Sequence, residues 1–311
     1  MSDLRVFRRN GQGRDVELRG GTVGLEAVLQ RRVEASMEAM LGVRFLASEY
    51  RTGWHGGRVD SLGLDENGAP VVVEFKRGVD AGVMSQAVSY LGWLQESRHE
   101  FEALVRKELG DEVAAGVDWR DPRVIVVAAD FTRADRDAVK RIGFAVDMVR
   151  YRVFDGGLLA LQLVESVSGG RGRARDRRPS WEVPDGPVCA SSDEQAGVVV
   201  EDVVQVPAGL ADLYGEVAEV LAERDVEVRP TQTYIAFRRM VNVASVVFRA
   251  KAGVILLYLR LDPSKVELAE GFTRDMREVG HNGTGDLEVR IRSVADLDRA
   301  RPLIDRAFET A

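Results

Sequence analysis

The sequence predicts an α/β protein: a mixed sheet flanked by helices, followed by a second, small α+β domain. Three observations carry this. From about Thr22 to Glu165, apolar residues alternate between helical spacing and strand spacing. From Ser168 to about Gly209 that periodicity stops, and Gly, Pro, Ser and Arg take over. From Leu210 to Ala311 it resumes as a helix, several strands and a closing helix. The chain of 311 residues is therefore read as a domain over 1–165, a linker over 166–209 and a small α+β domain over 210–311.

The elements follow in order. Thr22 is read as the cap of a first helix with Glu26 in its opening turn. Its stripe is Leu25, Val28, Leu29, Val33, Met37, Met40 and Leu41, and Gly42 stops it. Strands are expected at Arg44–Tyr50 and Arg58–Leu64. Asp65-Glu66-Asn67-Gly68 reads as a hairpin turn in which Asn67-Gly68 takes positive φ. Pro70 and Val71-Val72-Val73 open a third strand that runs through Lys76. Helices are expected at Ala81–Gln95, His99–Leu109 and Asp135–Ile142, and strands at Val124–Ala129, Met148–Phe154 and Leu158–Leu163. In the last region, Leu213, Val217, Val220 and Leu221 mark a helix. Tyr234–Met240, Val243–Ala250, Val254–Leu261 and Asp286–Arg292 read as strands before a helix over Ala295–Phe308.

Composition narrows the function classes. Hydrophobic residues at 45% and charged residues at 30% exclude wholesale disorder. No apolar run is long enough to span a bilayer, and Met1–Gly21 lacks the apolar core of a signal peptide, so a cytoplasmic protein without membrane partners is expected. One cysteine, Cys189, and three histidines supply neither a disulfide nor a zinc cluster. The net charge of −7 lowers the expectation of a broad nucleic-acid surface, although the arginines leave room for a local basic face.

The informative stretch is Gly57-Arg58-Val59-Asp60, then a turn, then Glu74-Phe75-Lys76. Alternate residues of a strand share a face, so Glu74 and Lys76 project together while Phe75 packs opposite. With strands paired about the Asn67-Gly68 turn, Asp60 and Lys76 are expected at equal distances from it. Asp60 and Glu74 then converge at one sheet end. Two carboxylates with the main-chain carbonyl of Phe75 make a hard oxygen site suited to Mg2+. Gln86 and Tyr90, four apart on the next helix, face the same way. Taken singly, each piece reads more readily as a solvated acid, an exposed ion pair or a helix edge, and it is their order and spacing together that point to a site.

In this order, G-x-x-D, E-x-K and Q-x-x-x-Y resemble the PD-(D/E)xK nuclease superfamily, in particular its branch with a RecB-like motif set. Leu41–Tyr50 and Gly57–Asp65 look like the catalytic domain of NucS/EndoMS endonucleases, and the resemblance covers about Thr22 to Leu163. It implies a restriction-endonuclease-like fold and a metal-dependent DNA endonuclease using Mg2+ (or Mn2+). By motif, Asp60 and Glu74 would bind the metal, Lys76 would assist hydrolysis, and Gln86 and Tyr90 would complete the pocket. A Glu of the first helix often joins that metal shell; Glu34 is the candidate here and Glu26 its rival. The NucS/EndoMS proteins carry a DNA-binding and dimerising domain before the nuclease domain, whereas about 20 residues precede the first helix here, so mismatch recognition does not carry over.

The last region resembles an uncharacterised domain attached to such modules. Its Gly280-His281-Asn282-Gly283-Thr284-Gly285-Asp286 segment reads as a Gly-rich loop before a strand, with His281 a weak candidate ligand or base. Tyr234, Phe237, Arg238 and Arg239 read equally as an aromatic and basic nucleic-acid surface or as core. DNA is the expected partner, and a homodimer is compatible with concerted duplex cleavage. The competing reading is a nuclease-fold module that binds DNA or a protein without cutting.

Overall fold

The computed structural model describes residues 4–53, 56–78, 83–168, 203–279 and 283–310. The chain divides into two units, Met1–Arg171 and Gly172–Ala311, each with its own apolar core. Among the described residues, no helix is long and apolar enough to cross a membrane.

The first unit opens with a hairpin, β1 (Val6–Arg9) and β2 (Asp15–Leu18), followed by β3 (Gly20–Gly21). The sequence gives no sign of this hairpin, because nearly every position in it is exposed and no buried face imposes an alternation. The expected first helix is two: α1 (Glu26–Glu34) and α2 (Met37–Leu41). Thr22 is not its cap; Leu25 occupies that position without a side-chain bond. The backbone breaks at Ser36, with φ −147° and ψ 34°. The apolar stripe Leu29, Val33, Met37 and Leu41 stays buried across the break, so periodicity alone does not reveal it. Gly42 ends α2 in the left-handed conformation, as expected.

Three antiparallel strands follow: β4 (Val43–Arg51), β5 (Arg58–Asp65) and β6 (Pro70–Lys76). Strand β4 is irregular between Phe45 and Ala47 and carries Glu49 at φ 52°. After α3 (Val83–Glu96), α4 (Arg98–Leu109) and the short α5 (Asp111–Ala115), β7 (Arg123–Ala128) pairs parallel to β6. Helix α6 (Arg133–Ile142) then crosses to β8 (Ala145–Phe154), parallel to β7, and β9 (Leu158–Val167) turns back along β8. The sheet order is β3-β8-β7-β6-β5-β4. A parallel β6-β7-β8 centre continued by antiparallel strands is the expected mixed sheet with flanking helices. One sheet face packs Leu62, Val72, Val124 and Val126 against Tyr90, Leu91 and Leu94 of α3, each such burial contributing about 1.5–3 kcal/mol.

The β5–β6 turn differs from expectation. Gly68 accepts the positive φ at 83° and Asn67 does not. The loop is longer than a two-residue turn: Asp65 N–H donates to the Ala69 carbonyl at 2.9 Å, and Gly68 N–H to the Asp65 carbonyl at 3.0 Å. The Asp65 carboxylate fastens it by accepting from the amides of Asn67 and Ala69, each at 2.8 Å. Arg123, 1% exposed, lies 3.0 Å from Asp147 and 3.7 Å from Asp65. This buried ionic group ties the turn to β7 and β8 at the sheet end away from Lys76.

Gly63 in β5 permits the close approach of β4. A Cβ there would lie 2.3 Å from Val43 Cγ1 and 2.7 Å from both the Arg44 carbonyl oxygen and Met37 Cε. Gly63→Ala is expected to destabilise the fold by about 1–3 kcal/mol through overpacking against backbone that cannot yield. A urea melt with an unchanged midpoint would refute this.

Of the stretch read as a linker, β9 already occupies its first residues and most of the rest lies outside the described residues, Cys189 included. Where description resumes, Val204 N–H donates to the Thr231 carbonyl at 2.8 Å, so the second unit begins before Leu210. This unit contains α7 (Ala211–Ala222), β10 (Glu227–Pro230), β11 (Ile235–Arg238), β12 (Asn242–Arg249), β13 (Val254–Leu259), β14 (Thr273–Asp275), β15 (Leu287–Ile291) and α8 (Val294–Thr310). Its antiparallel sheet runs β10-β11-β12-β13-β15-β14, and α7 and α8 pack into one core with Phe237, Val246, Leu257 and Val289. The small α+β domain is as expected.

The aromatic and basic surface considered for this unit is not formed. Phe237 and Arg238 are buried, Arg238 pairs with Glu227 at 3.3 Å, and Arg239 donates to the Phe308 and Arg224 carbonyls. His281 lies outside the described residues. The glycines beside it serve close packing: a Cβ on Gly283 would lie 2.9 Å from Ser245 Cβ, and one on Gly285 2.6 Å from the Leu259 carbonyl carbon.

Candidate active site

Asp60, Glu74 and Lys76 come together where β5 enters and β6 leaves the sheet. Residue 61 pairs with 73, so Asp60 stands one step further, abreast of Glu74. It was expected opposite Lys76; the turn closed by Asp65 and Ala69 shifts the pairing. The shift brings the acids closer to each other, and the Phe75 amide donates to Asp60 Oδ2 at 2.9 Å. Because β6 runs parallel to β7 and β8, the cluster lies at the carboxyl end of the parallel strands, where open α/β sheets place ligands.

Glu74 is 2% exposed. Its Oε1 accepts from Lys76 Nζ at 2.8 Å, and its Oε2 is buried with no hydrogen-bond partner among the described residues. Burial, then the charge of Asp60, pushes the Glu74 carboxyl up to about 7 despite Lys76. Burial also raises Asp60, against the Phe75 amide and Lys76, with Glu49 and Glu26 adding repulsion. For Lys76, burial works against the charged form, but the hydrogen bond to Glu74 and the surrounding acids outweigh it and hold the ammonium above its ordinary range.

Tyr90 is buried beside this cluster. Its hydroxyl donates to the Arg58 carbonyl at 2.7 Å, and its own pKa is raised by burial and by Glu74 and Asp60. The ring also explains Gly57, where a Cβ would come within 3.0 Å of Tyr90 Cε1 and 3.1 Å of Thr52 Oγ1. Thr52 in turn clasps Gly57 through both amide and carbonyl. Gln86 is exposed, one turn before Tyr90 on α3.

The two glutamates of α1 part company. Glu34 Oε1 accepts from Ser61 Oγ at 2.5 Å and from Gln30 Nε2 at 3.0 Å. Ser61 neighbours Asp60 in an extended strand and so projects to the opposite sheet face. Glu34 is therefore held away from the two acids, contrary to its choice as metal ligand. Glu26 accepts from the Arg77 amide at 2.9 Å, just past Lys76, and its charge acts on Asp60, Glu74 and Lys76.

Sequence reasoning missed Gln30. Its buried amide donates to the Asp60 carbonyl at 2.9 Å and to Ser48 Oγ at 3.1 Å, pinning β5 beneath the site. The available signal was a polar residue inside an apolar stripe, four before Glu34.

Among the described residues, no three His, Cys, Asp or Glu side chains cluster as a metal cage. The donor set is Asp60, Glu74 and the Phe75 carbonyl. Mg2+ commonly takes only one or two carboxylates and keeps waters. The unpartnered Oε2 of Glu74 is the kind of atom a cation would satisfy. The set fits a hard divalent ion.

The fold and site define a mixed α/β unit with a buried glutamate, a partly buried aspartate and a lysine at the carboxyl end of its parallel strands. Among known proteins, residues 200–311 match a family described as a domain of unknown function (DUF5655). Along 98% of its length the chain is 23% identical, over 314 residues, to the whole of an uncharacterized protein from Haemophilus influenzae. Among solved structures it is similar to EndoMS in complex with double-stranded DNA, at 24% identity and TM-score 0.29 over 42% of this chain and 46% of that one. A repair endonuclease from Pyrococcus abyssi gives 22% identity and TM-score 0.29 over 42% and 49%. The chain spans about half the length of these solved proteins.

Proposed function

We propose that the first unit is a metal-dependent endonuclease that hydrolyses DNA phosphodiester bonds at Asp60, Glu74 and Lys76. The observation that carries this reading is Glu74, buried against a second acid with one oxygen unpartnered. Such an arrangement is costly in a metal-free fold; the buried Asp65 of the same unit, by contrast, takes two amides on Oδ1 and has Arg123 3.7 Å from Oδ2.

Asp60, Glu74 and the Phe75 carbonyl would hold Mg2+ or Mn2+, with Glu26 rather than Glu34 as the nearby third acid. When bound, the ion supplies Lewis-acid polarisation of a phosphoryl oxygen and a water of lowered pKa. Lys76 offers an ammonium to negative charge developing on the phosphate. Gln30 and Tyr90 fix the backbone on either side of Asp60 by bonding the carbonyls of Asp60 and Arg58. Gln86, exposed one turn before Tyr90, would meet a phosphate of the substrate.

The test is incubation of the full chain with plasmid, duplex and single-stranded oligonucleotides under Mg2+ or Mn2+. Absence of any cleaved product with either ion sinks the proposal. The alternative is a nuclease-fold module that binds DNA or a protein without cutting; its DNA-binding form requires binding that survives EDTA with no product. Gly57→Ala is expected to lower cleavage about tenfold to a hundredfold by displacing Tyr90. Wild-type cleavage by that variant would remove Tyr90 from the positioning role.

A further inference from the structure

Among the described residues, the second unit's sheet packs its helices on one face only. On the other face, side chains form rows across the strands. Ser245, Tyr258 and Glu288 align, with Arg274 next to Glu288 on β14. Val247, Leu256 and Arg290 form a second row. Arg249 and Val254 begin a third, which Arg292 completes one step beyond the paired register. Apart from Ser245 and Val247, these rows floor a cavity of about 520 Å³ that Met276 and Val279 also line.

Four arginines border this one cavity in a chain of net charge −7. The carboxylate among them, Glu288, is already neutralised: Arg290 Nε donates to it at 2.8 Å and the Tyr258 hydroxyl at 3.1 Å. Arg249 and Arg274 are exposed and make no ion pair among the described residues. Arg292 spends one donor on the Gly271 carbonyl at 3.0 Å. Guanidinium groups that are weakly hydrated and forked favour phosphate. Between them lies an apolar floor of Val254, Leu256 and Met276. Arg249 and Arg292 stand on the strands flanking β13, about 10 Å apart by strand spacing, which is the width of one sugar and base. Inorganic phosphate would leave that floor unused, and a long acyl chain would need an enclosed apolar tunnel.

We propose that this face binds a nucleoside phosphate, with its phosphate on Arg274 and Arg292 and its base over Val254, Leu256 and Met276, reaching toward Arg249. The source is either a free nucleotide or one nucleotide of a DNA strand. Only the second rests on the nuclease reading, and neither uses Asp60 or Glu74.

The test uses the full chain in EDTA, so its outcome is independent of cleavage. Calorimetry compares deoxyadenosine 5′-monophosphate with deoxyadenosine and with inorganic phosphate. Fluorescence anisotropy follows a labelled 12-nucleotide single strand. The nucleotide is expected to bind at least about tenfold more tightly than either part, and Arg249→Ala/Arg274→Ala to weaken it at least about tenfold. Both arginines are exposed, and circular dichroism checks that the variant folds. If strand binding falls with the nucleotide's, the source is DNA; if strand binding is unchanged, it is a free nucleotide. Phosphate binding as tightly as the nucleotide, nucleotide binding undiminished in the variant, or no nucleotide binding at millimolar concentration overturns the proposal.

Discussion

Glu74→Gln and Lys76→Ala are each expected to reduce metal-dependent DNA cleavage by about a hundredfold or more. The glutamine keeps the size and shape of Glu74 but removes its negative charge, so it loses both the cation and the ammonium of Lys76, now 2.8 Å from Oε1. Lys76→Ala leaves the acids in place but deprives the site of its positive charge. The two variants should therefore separate: Mn2+ binding, followed by calorimetry, is expected to vanish in the first and persist in the second. Cleavage at wild-type rate by Glu74→Gln would exclude Glu74 from the chemistry.

The second expected result concerns the metal-free protein. The Glu74 carboxyl rises from an ordinary 4.5 to about 7 in the fold, chiefly by burial. Between those values the native state keeps a proton that the unfolded state has released, so stability falls as pH rises. The contribution is fully present below about pH 4.5 and gone above about 7, on the order of 3 kcal/mol. Urea melts in EDTA at pH 5, 6, 7 and 8 should show this slope in the wild type and a flatter one in Glu74→Gln. The difference between the two curves isolates Glu74 from other titrating groups. Adding Mn2+ at pH 8 should recover stability by mass action, with proton release on binding near neutrality. Parallel curves for the two proteins would contradict the account of a carboxyl held protonated by burial.

The strands carrying the site were legible because they bury one or both faces. Val71-Val72-Val73 and the alternation around Asp60 leave few other readings, and the structure places β5 and β6 within a residue of the expected bounds. What the pattern could not give was register. Asp60 meets Glu74 rather than Lys76 because the Asp65 carboxylate organises a longer turn, a matter of amide geometry rather than hydropathy. The choice between Glu26 and Glu34 failed for a related reason. Helical spacing says which residues border the apolar stripe, but the exit of β6 at Arg77 decides which end of α1 meets the acids. The short strands β10 and β14 lie at sheet edges and carry too few residues to show a period. The arginines of the second unit's open face come from three strands, so no local window of sequence displays them as a group.

The irregular β4 has a bearing on assembly. As the terminal strand of the seven-stranded sheet, it exposes main-chain groups to any passing strand, the usual route to edge-to-edge growth. Its interruption between Phe45 and Ala47, with Glu49 in the left-handed region and paired to Arg58 at 2.6 Å, twists and charges that border. Both features oppose extension of the ladder by a second chain. Edge-to-edge pairing along β4 is thereby disfavoured, leaving this rim as a guard against runaway polymerisation.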